Sequence, residues 1–239
     1  MQCLTRFDLY QLATVFKLLE TTDLSIGIVT TDFKEFYRIL FGVLYIAESK
    51  SKYSLNIYIL DKCTQLVSKG STPIDIPSPE LIIQPERVLN YKLFHHVALG
   101  GTFDHTHNGH VLLLYTACYL SNKVTIGLAE HPKKKHLELF WSFNKRKENI
   151  EAITSHCTVN ELNIVPLHDN YGPTSTDDSI DAVIASIETK TNTLQINTER
   201  RKNNLKDVCI VLIDTLPDTV HGGKLSSSKI RESIANSNK

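Results

Sequence analysis

The stretch Ala98-Leu99-Gly100-Gly101-Thr102-Phe103-Asp104-His105-Thr106-His107-Asn108-Gly109-His110 constrains this chain more than any other. It reads as a short buried strand, a glycine turn and the start of a helix that carries a histidine in its first turn. Two adjacent glycines between a buried strand and a helix let backbone come close to a ligand, because glycine has no Cβ in the way. A helix that starts there aims its free N–H groups and the positive end of its dipole at the same point, which suits an anion.

The order of elements around this stretch is consistent with such a site. Residues 97–99 read as a strand, 108–120 as a helix, 123–129 as a strand and 137–153 as an amphipathic helix with Phe140, Trp141 and Ile150 on its apolar face. Residues 162–167 read as a strand, 178–184 as a short helix leading into a strand over 183–187, 197–204 as a helix, 207–213 as a strand and 226–235 as a last helix. Repeated strand–helix–strand units of this length predict an α/β fold, a parallel sheet with helices on both faces. Ligands of such sheets bind beyond the carboxyl ends of the strands.

Upstream, helical spacing over 8–20 and 33–47 and strands over 24–29 and 55–60 predict a smaller N-terminal α/β region. Four of the eight prolines fall between 73 and 85, so that segment is expected to be an irregular linker. The expected domains are 1–90 and 91–239.

Composition narrows the class. Basic and acidic residues balance at 26 each, which gives a net charge of zero and argues against a general nucleic-acid partner. Five scattered cysteines without a Cys-x-x-Cys pair point to reduced thiols and a cytoplasmic setting. The N-terminus lacks the basic-then-apolar pattern of a secretory signal, and the longest apolar run, residues 39–47, is too short to span a bilayer, so no membrane association is expected.

Gly100 and Gly101 allow backbone to approach a phosphate, Thr102 adds a hydroxyl, His110 can aim at the phosphate, and His107 is placed to share that pocket. A P-loop would need a lysine that is absent here, and Gly100, Gly101 and Gly109 do not give the spacing of a dinucleotide fingerprint. His105, His107 and His110 lack a carboxylate or cysteine partner at metal-ligand spacing, so no metal site is expected. A second anion-binding pattern lies near the C-terminus: Ser226, Ser227 and Ser228 open a helix, and Arg231 follows Ser228 by about one turn.

These segments resemble the phosphopantetheine adenylyltransferases of eukaryotes and archaea, members of the nucleotidyltransferase superfamily with a His-x-Gly-His signature. The signature stands here as His107-Asn108-Gly109-His110. Gly100 to Asp104 matches the family's Gly-Gly-Thr-Phe-Asp, and Asp169-Asn170-Tyr171-Gly172-Pro173 resembles its Asp-Pro-Tyr-Gly-Pro loop. Ser186-Ile187-Glu188-Thr189 is similar to Ser-Glu-Glu-Thr, Asn197 to Arg200 to Asn-x-x-Arg, and Ser226 to Arg231 to the serine-rich C-terminal segment. Departures are Asn170 for the loop proline, Ile187 for a glutamate, and Asn192-Thr193 where a glycine pair is usual.

The resemblance implies a Rossmann-like nucleotidyltransferase fold. It also implies transfer of AMP from ATP to 4′-phosphopantetheine, giving dephospho-CoA and pyrophosphate in coenzyme A biosynthesis. Implied catalytic residues are His110 and Thr102. Implied ATP contacts are Gly100, Gly101, Phe103, His107, Gly109, Asn197, Arg200, Ser226, Ser227, Ser228 and Arg231. Thr102 with Lys133 or Lys134 is expected to hold the acceptor phosphate, and Mg²⁺ to accompany ATP. The alternatives are another nucleotidyltransferase, for cytidylyl transfer or for nicotinamide mononucleotide, or a silent scaffold of a coenzyme A-synthesising complex. The N-terminal region reads as a packing appendage, with docking to other enzymes of coenzyme A synthesis as its alternative role.

Overall fold

The computed structural model describes residues 2–4, 24–28, 37–38, 40–44, 55–59, 81–83, 92–130, 137–155, 157, 159–218 and 222–237. The chain divides into two compact units, one of residues 1–91 with 156–158 and one of residues 92–155 with 159–239.

The first unit contains β1 (Gln2–Leu4), β2 (Leu24–Ile28), β3 (Leu55–Ile59) and β4 (Leu81–Ile83). They form a four-stranded sheet in the order β1-β4-β2-β3, all pairs parallel. Residues 37–38 and 40–44 are helical, and Leu40, Val43 and Leu44 are buried. The predicted helix over 8–20 lies outside the described residues. Within the segment expected to be an irregular proline-rich linker, residues 81–83 form β4, and the rest of that segment lies outside the described residues. Leu81, Ile82 and Ile83 are free of proline and have the apolar, branched character of a strand.

The second unit holds β5 (Phe94–Gly101), α1 (Asn108–Leu120), β6 (Ser121–Ala129), α2 (Phe143–Thr154), β7 (Glu161–Leu167), β8 (Ala182–Ser186), α3 (Lys190–Lys202), β9 (Cys209–Ile213) and α4 (Ser227–Ser237). The five strands lie in the order β7-β6-β5-β8-β9, every pair parallel. Val97, Ala98 and Leu99 are all buried, and so are Val124, Thr125 and Ile126. Successive strand residues point to opposite faces, so both faces of the sheet are covered, as expected.

The chain winds outward through β6 and β7, returns to pair β8 with β5, and continues to β9. That reversal puts the topological switch point between β5 and β8, where an open α/β sheet has a crevice for ligands. On one face Ala98, Ile180, Val183, Ile196 and Val208 form a core under α3, with Tyr171 and Ile210 packed against it.

Three predicted elements differ. The helix over 137–153 is a 3₁₀ turn, Leu137–Leu139, followed by α2, because the backbone between them is used elsewhere and Ser142 caps α2 by accepting from the N–H of Lys145. The short helix over 178–184 is a turn. Asp177 accepts from Ser179 N and Oγ, and Asp181 accepts from the backbone of His95 and His96. α3 starts seven residues before the predicted Asn197, since Thr193 already faces the core.

Candidate active site

β5 delivers Gly100 and Gly101 to the crevice, and the turn after it is tight. A Cβ on Gly101 would sit 3.0 Å from the Phe103 ring, so any larger residue would press on that fully buried ring. Phe103 and His105 adopt left-handed backbone angles, φ 47° and 40°. These are costly for side chains with a Cβ and persist only where neighbours enforce them. The neighbours are identifiable. Asp104, fully buried, accepts from Trp141 N at 3.0 Å, and His105 Nε2 lies 2.8 Å from the carbonyl oxygen of Leu139.

Arg146, which sequence reasoning missed, holds the same loop from α2. Its Nη1 donates to the carbonyls of Thr102 and Ala129, both at 2.8 Å, and its Nε to that of Trp141 at 3.0 Å. Burial pulls its pKa below the usual value while Asp104 opposes the shift. The signal was available: Arg146 shares a helix face with Ile150 and Thr154, and a charged residue on an apolar face needs buried partners.

His107 caps α1. Its Nδ1 accepts from Gly109 N at 3.2 Å, while its own N–H donates to His110 Nδ1 at 3.3 Å. The two rings stack at 4.0 Å, and the His110 ring lies 5.2 Å from that of Phe103. With Nδ1 accepting, each neutral imidazole carries its proton on Nε2. Burial lowers His107 to a pKa of about 4. Burial, then the proximity of His107, lowers His110 to about 3. His110 is therefore an uncharged hydrogen-bond donor at neutral pH.

The C-terminal segment joins the glycine turn directly. Arg231 Nη1 forms a buried ion pair with Asp104 Oδ2 across 127 residues of sequence. Its Nη2 donates to Ser228 Oγ at 3.2 Å, and its guanidinium lies 5.5 Å from the centre of the Phe140 ring. Its buried Nε has no partner among the described residues. Ser226 Oγ accepts from Ser228 N at 3.3 Å, so Ser226 caps α4 while Ser227 and Ser228 open it. Asp104 was legible as part of the glycine motif, but its pairing with Arg231 was not.

Next to the turn lies a cavity of about 540 Å³, walled by Gly100, Gly101, Thr102, Thr125, Leu167, Tyr171, Asn192 and Thr193 among others. It occupies the sheet face under α3, at the switch point. His107, Gly109, His110, Ser226, Ser227, Ser228 and Arg231 are not among its walls. Gly100, Gly101 and Thr102 are common to the glycine turn and the cavity. Gly172, at φ +48°, turns the loop after β7 so that it can close over Leu167.

Two expected nucleotide contacts are committed elsewhere. Arg200, 1% exposed, donates through Nε to Lys206 O and through Nη1 to Thr174 O and Asp177 O. Asn197 exchanges two hydrogen bonds with the backbone of Val208. Both are struts that fix the loop and strand around α3. Lys133 and Lys134 lie outside the described residues. No group of three His, Cys, Asp or Glu side chains suited to a metal ion occurs among the described residues. No described helix is long and apolar enough to cross a membrane.

Residues 98–233 match the cytidylyltransferase-like family model. The phosphopantetheine adenylyltransferase of Pyrobaculum aerophilum is 38% identical over 146 residues, covering 60% of this chain and 93% of its own length. That of Methanopyrus kandleri is 36% identical over 150 residues, covering 59% of this chain and 91% of its own length. Among solved structures, a protein of unknown function from Archaeoglobus fulgidus aligns at 27% identity over 54% of this chain and 95% of its own, with a TM-score of 0.43. The chain belongs to the cytidylyltransferase-like family, and within that family to the phosphopantetheine adenylyltransferases.

Proposed function

We propose that this chain transfers the adenylyl group of ATP to 4′-phosphopantetheine. An oxygen of the acceptor phosphate bonds to the α-phosphorus, the bond from that phosphorus to the bridging oxygen breaks, and pyrophosphate leaves. The acceptor phosphate has a second pKa of about 6, so it is mostly a dianion at neutral pH and needs no general base. The work left to the protein is alignment and charge stabilisation.

The observation that carries this reading is the position of Thr102, where the cavity meets the glycine turn. The cavity suits the long arm of the acceptor, with apolar walls at Leu167 and Ile196 and polar ones at Thr125, Asn192 and Thr193. Through Gly100, Gly101 and Thr102 it borders the turn that would hold the reacting phosphates. Thr102 orients the attacking phosphate, and His110 donates from Nε2–H to the α-phosphate oxygens as charge grows there. The α4 N-terminus, with Ser226, Ser227 and Ser228, takes the β- and γ-phosphates, and Arg231 supports it with its spare Nε donor. Gly100, Gly101, Phe103, His107 and Gly109 shape the nucleotide side. Lys133 or Lys134 supplies charge to the acceptor phosphate.

The donor set favours a Mg²⁺ ion carried by ATP over one fixed by the turn. Asp104, the carboxylate of the turn, is fully buried and its oxygens are taken by Trp141 and Arg231. Mg²⁺ would then sit on phosphate oxygens and water and neutralise the departing charge. We place the reaction in the cytoplasm, on the cysteine usage.

Labelled ATP tests the reaction type. Label at the α-phosphorus should end in the acceptor product, and label at the γ-phosphorus in pyrophosphate. Recovery of the γ label on the acceptor would mean phosphoryl transfer and overturn the proposal.

A further inference from the structure

A chain of side chains runs from the surface to the floor of the cavity, and its hydrogen-bond polarity is fixed at one end. Asp177 Oδ1 accepts from Ser179 Oγ at 2.7 Å and from Ser179 N at 2.8 Å. Ser179 Oγ is 2.9 Å from His96 Nδ1, and His96 Nε2 is 2.8 Å from Thr125 Oγ1. His96 is 1% exposed and Thr125 6%. Thr125 is a wall of the cavity.

A hydroxyl has one proton. Ser179 gives its own to Asp177, so it must accept from His96 Nδ1–H. A neutral imidazole with its proton on Nδ1 has only a lone pair on Nε2. Thr125 must therefore donate its proton to His96. Its two oxygen lone pairs are what remain for a ligand, so toward the cavity the Thr125 hydroxyl is an acceptor only. Burial first, and Lys123 second, lower the His96 pKa against the opposing pull of Asp177, Glu161 and Asp181, which keeps the ring neutral. Asp177 is held below the ordinary carboxylate range: burial opposes the shift, and the two bonds from Ser179 outweigh it.

The position along the strand sets what meets this acceptor. Thr125 registers with Ala98. Ala98 lies three residues before Gly101 on β5, about 10 Å at strand spacing. An acceptor substrate whose phosphate reacts at the turn extends its arm down the cavity, and its amide region falls at that depth. Valine or alanine at 125 would line the same space with no polar demand.

We propose that Thr125 is a specificity-determining residue, which accepts a hydrogen bond from an amide N–H of the acceptor's arm, and that His96 is the positioning residue that fixes its polarity. This inference rests on the phosphopantetheine reading. A donor-bearing arm is favoured, and an ester in place of that amide brings its oxygen against the Thr125 oxygen.

Two analogues of 4′-phosphopantetheine, each with one of the two amides replaced by an ester, test it on the full chain. With wild type, one ester should raise KM for the acceptor about tenfold, the worth of one hydrogen bond, with kcat and KM for ATP within about twofold. Thr125→Val should raise KM for the natural acceptor by a similar factor and abolish the difference between that ester and the amide, while Thr125→Ser keeps both. His96→Asn should reduce the amide–ester difference without changing KM for ATP. Equal kinetics for both esters and the amide in wild type overturn the inference, even if the valine variant does not fold. Failure of wild type to use 4′-phosphopantetheine overturns the reaction reading and this inference together.

Discussion

At the scale of single residues, His110 has the most specific demand on it. Its Nδ1 is occupied by the His107 N–H, its ring stacks on His107 and leans on Phe103, and burial keeps it neutral. Its position in the first turn of α1 adds to this, because the helix dipole disfavours a cation there. A neutral donor aimed at a developing charge costs no reorganisation. His110→Ala should lower kcat on the order of a hundredfold, with a much smaller change in KM for ATP; near-normal turnover would remove His110 from the chemistry. The same burial sets an acid limit on stability. Above pH 6.5 the imidazole is neutral in both the folded and unfolded chain. As pH falls below that value the unfolded chain binds a proton that folded His110 refuses until about pH 3, so stability decreases over that window. Urea midpoints followed from pH 7 to 4.5 should fall in wild type and fall less steeply in His110→Gln. Parallel slopes would mean that His110 is not held neutral.

At the scale of elements, the site is assembled by ties between segments rather than within them. The Asp104–Arg231 pair fastens α4 to the turn after β5, and Arg146 fastens α2 to the same turn. Removing one partner of a buried pair leaves the other charge uncompensated. Asp104→Asn should cost about 3–5 kcal/mol, read as a lower urea midpoint, and Arg231→Met in the same background should add much less than it does alone. Full additivity would show that the pair does not couple the two elements. What was legible in the amino-acid sequence follows the same division. α1 runs over the predicted residues 108–120, because its cap and glycine turn are local signals. α2 was read too long because Leu139 O, Trp141 N and Trp141 O are spent on His105, Asp104 and Arg146, partners that are remote in sequence. Asn197 and Arg200 stand out in the sequence as an Asn-x-x-Arg segment, but which buried group each meets depends on loops that only the fold brings near. The Thr125–His96 contact was invisible for the same reason: it joins β6 to β5 across 29 positions.

At the scale of the whole molecule, the family match at 98–233 lies within the second unit apart from residues 156–158, and that unit holds the five-stranded sheet, the cavity and the histidine turn. The parallel four-stranded sheet of the first unit contributes none of the described site residues. A fragment of residues 92–239 should accordingly keep adenylyl transfer within about an order of magnitude of the full chain; a folded fragment with no activity would assign the first unit a part in the chemistry. The most direct measurement offers the purified full chain ATP or CTP with 4′-phosphopantetheine or nicotinamide mononucleotide, and follows the nucleotide product together with pyrophosphate. Dephospho-CoA and pyrophosphate should form in equal amounts from ATP and 4′-phosphopantetheine, with the other pairings far slower. No dephospho-CoA, or faster turnover of nicotinamide mononucleotide or CTP, would contradict the account.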